Sequence, residues 1–154
     1  TAQKLRFLEL LFVEPWTVRL SEETGLPFRP PADVMVPNPV NFVAQKLLIH
    51  ELRRREKQAQ DALYIHDTLD LFGGELPMLR ALWRERVRPT MHENTARSVE
   101  RLYREQFGVV DDVIRNAVRL PQDRTIPPER FQATCLYGLD EIFGKAAEGG
   151  GTPP

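Results

Sequence analysis

The stretch from Val34 to Phe72, VMVPNPVNFVAQKLLIHELRRREKQAQDALYIHDTLDLF, constrains the fold more than any other part of the chain. A short apolar alternation, Val34 to Val36, ends at Pro37, whose missing N–H suits a strand end. Asn38 can then accept a hydrogen bond from an orphan backbone N–H, and Pro39 falls at the first helical position, where its lack of a donor costs nothing. Val40, Val43, Ala44, Leu47, Leu48 and Leu52 recur at spacings of three and four, so a helix here carries an apolar stripe that must be buried. Lys46, His50, Arg53 and Lys57 line up on one basic face of any helix that continues that far. A second helical segment, from about Gln58 to Phe72, brings Asp61 just after the basic run and Asp67 and Asp70 later, until Gly73-Gly74 stops it.

The remaining sequence reads as support for this centre. The apolar residues of Gln3–Val13 (Leu5, Phe7, Leu8, Leu10, Leu11 and Phe12) satisfy a short buried helix and a buried strand about equally well, and the dominance of leucine favours the helix. Trp16, Val18 and Leu20 alternate inward on a strand, Gly25 turns the chain, and Leu26 to Arg29 returns it before Pro30-Pro31 breaks the return and Val34–Val36 resumes. Helices are expected at Glu75–Val87, Glu93–Phe107, Val109–Leu120 and Pro128–Phe143, ended by Pro89, Gly108, Pro121 and Gly144. The fold class that follows is α+β: a small antiparallel sheet in 1–37, a helical bundle in 38–144 and a flexible tail in 145–154.

The 154 residues, 42% of them hydrophobic, suffice for one domain with a core. A net charge of −1 argues against coating nucleic acid by bulk electrostatics, so any such contact must be a local patch. One cysteine, Cys135, excludes an internal disulfide framework and the cysteine-rich zinc patterns, and makes a reducing cytoplasm the expected location. His50, His66 and His92 lack the paired spacing of a helical metal site. No apolar run is long enough to span a bilayer, so no membrane association is expected.

Three features carry a likeness to a known family: Val-Pro-x-Pro at Val36 to Pro39, Phe-x-x-x-Lys-Leu at Phe42 to Leu47, and Arg53-Arg54 followed by Lys57-x-x-x-Asp61. This order resembles the latter half of bacterial nucleotidyltransferase-fold proteins, including those related to the AbiEii toxin components. The resemblance implies that Lys46 contacts phosphate, that Asp61 is a catalytic carboxylate or supports its helix junction, and that Arg53 and Lys57 belong to the substrate-binding basic gap. It covers about a quarter of the chain, with a fainter likeness at LRFLELLF and the Gly25 turn. The family's Gly-Ser and Asp-x-Asp are absent from these residues. Those carboxylates hold the divalent metal that neutralises triphosphate charge. The expectation is therefore a C-terminal portion whose Mg²⁺ ligands lie upstream, in keeping with a first residue, Thr1, that is not methionine.

On that reading the chain helps move a nucleoside monophosphate from a nucleoside triphosphate to an RNA, protein or small-molecule acceptor, either as a homodimer or with a missing N-terminal half. Lys46 and Asp61 should share one cleft, with Arg53 at its flank, and the small sheet should present an open edge. The alternative is a non-catalytic helical binding module of a toxin–antitoxin or defence system. The plainer account of the same residues is also open. Lys46 would then be a solvated lysine, the arginines a solvated face, and Asp61 the i,i+4 partner of Lys57, contributing about 0.2–0.5 kcal/mol.

Overall fold

Asn38 does more than cap a helix. Its side-chain oxygen accepts from the Asn41 N–H at 2.9 Å, while its Nδ2 donates to the carbonyls of Val13 (3.1 Å) and Glu14 (3.0 Å). The Asn41 amide donates to the same Val13 carbonyl. Two buried asparagines thus tie the start of the first helix to the chain ahead of the first strand, and Glu14 is held there at φ 47.

The computed structural model describes residues 6–25 and 30–145. Strands β1 (Trp16–Leu20) and β2 (Ala32–Val36) pair antiparallel, with Trp16 opposite Val36 and Leu20 opposite Ala32. Among the described residues neither strand has a second partner. The expected return strand at Leu26–Arg29 falls outside the described residues. The inward alternation of β1 is only partly realised: Trp16 and Leu20 are half-buried, and Val18 stays exposed because no layer covers the middle of so small a sheet. The expected N-terminal helix is a single 3₁₀ turn at Glu9–Phe12, with Leu10 buried and Phe12 exposed.

Helix α1 (Pro39–Ile49) buries Val40, Val43, Ala44 and Leu47 as the stripe requires. It does not continue to Leu52. A 3₁₀ turn at His50–Leu52 closes on the Arg53 N–H, which donates to the His50 carbonyl at 3.0 Å, and Arg53 and Arg54 are extended. Leu52 is consequently exposed, and Ile49 takes a buried place instead. Helix α2 (Arg55–Leu71) starts three residues earlier than expected. Gln58 secures the corner by donating from its side chain to the His50 carbonyl at 3.0 Å. The basic residues 46, 50, 53 and 57 therefore do not share one helix face.

Helix α3 (Leu76–Ala81) runs into a π-helical turn, Leu82–Val87, that buries Trp83 and Val87. Helices α4 (Glu93–Phe107), α5 (Asp112–Ala117) and α6 (Pro128–Phe143) complete the bundle. The bounds of α4 and α6 are those read from the sequence, whereas α5 is shorter because Asp111 caps it, accepting from the Ile114 N–H at 2.9 Å. One core runs through Val43, Leu47, Ile65, Leu69, Trp83, Tyr103, Phe131 and Phe143, with the Trp83 and Phe143 rings edge-to-face at 4.9 Å. Helices α2 and α6 approach so closely at Gly138 that a Cβ there would lie 2.9 Å from Leu69 Cδ2. No described helix is long and apolar enough to cross a membrane.

Candidate functional site

The corner between α1 and α2 turns the chain back so that Lys46, three residues before the end of α1, faces Asp61 in the second turn of α2. Lys46 Nζ lies 2.9 Å from Asp61 Oδ1, and Arg53 Nε donates to Asp61 Oδ2 at 2.9 Å. Arg53 Nη2 reaches Oδ1 at 3.5 Å. The Asp61 side chain is 2% exposed, against 12% for Lys46 and 30% for Arg53. One buried carboxylate is thus held by two cations from two different segments, and the cluster keeps one net positive charge. A lone buried carboxylate would cost several kcal/mol to desolvate, so these partners are what make its position tenable.

Aromatic rings flank the ammonium. Lys46 Nζ lies 5.4 Å from the Phe42 ring centroid and 5.8 Å from that of Tyr64, within the range where a ring face attracts a cation. Neither ring figured among the site residues expected from sequence. The signal was there, since Phe42 precedes Lys46 by four and Tyr64 follows Asp61 by three, the spacings that share a helix face. Lys57 stands apart. It is exposed and donates to Gln60 Oε1 at 2.9 Å, and Gln60 donates in turn to the Tyr64 hydroxyl at 2.8 Å. The i,i+4 pair of Lys57 with Asp61 is not formed, because Asp61 turns inward toward α1.

His50 sits at the corner as a half-buried imidazole. Burial pulls its pKa below 6.5, opposed by the negative charges of Glu51, Asp111 and Asp61. At neutral pH it is therefore not one of the cations of this cluster. Arg54 and Arg55 are exposed beside it.

The cluster does not suit a divalent cation. Its single carboxylate already has both oxygens engaged by cations, whereas such ions need several free oxygen ligands. Among the described residues no other group of histidine, cysteine and carboxylates is placed to hold a metal. What the arrangement offers is a positive charge with unspent donors. Asp61 pairs with the Lys46 ammonium and accepts from two nitrogens of Arg53, leaving N–H groups of both for an anion.

A small α+β unit thus presents a fixed lysine–carboxylate–arginine cluster with donors to spare. The sequence profile described as Nucleotidyltransferase matches residues 1–88, which carry both strands, α1, α2, α3 and the whole cluster. The chain belongs to this nucleotidyltransferase family. No curated protein and no solved structure matches it.

Proposed function

We propose that the chain is the C-terminal portion of an enzyme that transfers a nucleoside monophosphate from a nucleoside triphosphate to an acceptor, and that the Lys46–Asp61–Arg53 cluster grips the triphosphate. The observation that carries this is the cluster itself, lying within the segment that matches the family. Asp61 is a positioning residue: it fixes the ammonium and the guanidinium so that their remaining N–H groups converge on phosphate oxygens without further ordering cost. Lys57, tied to Gln60, is given no phosphate contact. Mg²⁺ would be held by carboxylates outside these 154 residues, and the two-stranded sheet, whose outer edges have no partner among the described residues, supports a place for further strands beside it. The acceptor is an RNA, a protein or a small molecule, and the AbiEii-type kinship belongs to the same proposal.

One observation favours a second reading. The cations are already paired with Asp61, as they would be in a protein that kept the fold as a binding module of a toxin–antitoxin or defence system and lost the chemistry. Labelled nucleoside triphosphates, Mg²⁺ and a longer product carrying the upstream carboxylates separate the two. The longer product should label an acceptor, the 154 residues alone should not, and Lys46→Ala should abolish most labelling while Lys57→Ala leaves it near the parent level. Full transfer by the isolated chain, or a Lys46→Ala protein as active as its parent, overturns the assignment. A longer product that binds triphosphate but never transfers it establishes the module.

A further inference from the structure

A second cluster lies on another side of α2, five to nine residues beyond Asp61. His66 and Asp70 of α2, Arg124 to Pro127 of the connecting loop, and Arg130 and Thr134 of α6 line a cavity of about 210 Å³. That is below the roughly 300 Å³ at which pockets for drug-sized ligands begin, so its occupant is small. Its walls are mostly polar: an imidazole, a carboxylate, two guanidiniums and two hydroxyls.

The charges are arranged unevenly. Asp67 accepts from Arg124 Nη2 at 2.6 Å on each of its oxygens and also meets His66 Nδ1 at 3.2 Å, so its charge is spent on these neighbours. Because an ionised carboxylate only accepts, the His66 ring donates to it from Nδ1. The ring cannot turn freely, since it is 7% exposed and stacked on Phe131 at a centroid distance of 4.5 Å. Arg130 and Asp70 differ from this trio. Each lines the cavity, and neither side chain has an ion pair or hydrogen bond among the described residues, not even with the other.

A simple anion would find one unpaired cation and, at the same cavity, one unpaired carboxylate that repels it. A simple cation meets the mirror-image problem. A molecule bearing both charges satisfies both walls, and the threonine hydroxyls offer it further hydrogen bonds. We infer that this cavity is a site for a small zwitterion of the α-amino-acid class, its carboxylate on Arg130 and its ammonium on Asp70. The site is independent of the triphosphate cluster, since it uses none of its side chains.

The test is isothermal titration of the whole chain with glycine, L-serine and L-glutamine, with acetate, methylammonium and inorganic phosphate as single-charge probes. At least one amino acid should bind saturably while acetate and methylammonium do not. Arg130→Gln and Asp70→Asn, both exposed positions whose change should leave the melting temperature unmoved, should each weaken that binding by roughly tenfold or more, the loss of one charge-assisted hydrogen bond. Phosphate binding that Asp70→Asn strengthens would make this an anion site and overturn the inference. So would the absence of any amino-acid binding, or binding that survives both substitutions.

Discussion

Replacing Asp61 by asparagine removes the one negative charge between two cations whose nitrogens each lie 2.9 Å from its oxygens. Lys46 and Arg53 are then left without the charge between them, and at an effective dielectric constant of about 20 two unit charges about 6 Å apart repel by about 3 kcal/mol. The amide still offers one acceptor but also turns an NH₂ toward a cation. The expected loss lies in the range of about 3–5 kcal/mol typical of removing one partner from a buried ion pair. Lys46→Met should cost less, about 1–2 kcal/mol, because Arg53 still satisfies the carboxylate and the thioether chain keeps the contacts with Phe42 and Tyr64. For a chain of this size about 3 kcal/mol lowers Tm by roughly 6–12 °C. Circular-dichroism melts of the parent and both variants give the comparison, and the ordering Asp61→Asn well below Lys46→Met should persist at high salt because the carboxylate is only 2% exposed. An Asp61→Asn protein melting within about 2 °C of its parent would refute the reasoning, since a site that tolerates two facing cations cannot be as desolvated as described.

Two other expectations can be checked by equilibrium unfolding. His50 has a pKa below its ordinary 6.5 in the fold, so as pH falls through 6.5 the unfolded chain takes up this proton first and stability declines. His50→Gln should flatten that decline between about pH 7 and 5, and a variant with the parent's slope there would remove the assignment. Gly138→Ala should destabilise by about 1–2 kcal/mol, because the new methyl meets Leu69 Cδ2 at 2.9 Å in a packed core, and the effect should shrink when Leu69 is also shortened to valine. An alanine variant more stable than its parent would mean that Leu69 has room to turn aside.

What the residues announce in advance is what local chemistry decides. Asn38-Pro39 starts α1, Pro128 and Gly144 bracket α6, and Glu93 to Gly108 bounds α4, because caps, prolines and glycines act within a turn of where they stand. The corner at residues 50–54 carries no such mark. His-Glu-Leu-Arg-Arg suits a helix, and the chain leaves helical geometry there because α2 buries Ala59, Ala62, Ile65 and Leu69 against the rest of the bundle, a demand that lies far along the sequence. The site inherits the same division. Lys46 and Asp61 stand out as residues, but their meeting comes from two helices packed side by side rather than from one continuous basic face. The π-turn at Leu82–Val87 was equally silent, since Leu-Trp-Arg-Glu-Arg-Val reads as an ordinary helix and only the placement of Trp83 and Val87 in the core distinguishes it.

The packing of α2 also sets a phase. Each residue of helix turns a side chain by about 100°, so one amino acid inserted or deleted in α2 between Asp61 and Ile65 would swing Asp61 about a quarter of a circle away from Lys46 while Ile65 and Leu69 keep their places in the core. Substitutions at Glu51 or Arg54, both exposed, leave that phase untouched. The spacing between carboxylate and core therefore behaves like the tooth count of a gear: exposed positions are free to vary, but the number of residues decides whether the lysine and the carboxylate mesh.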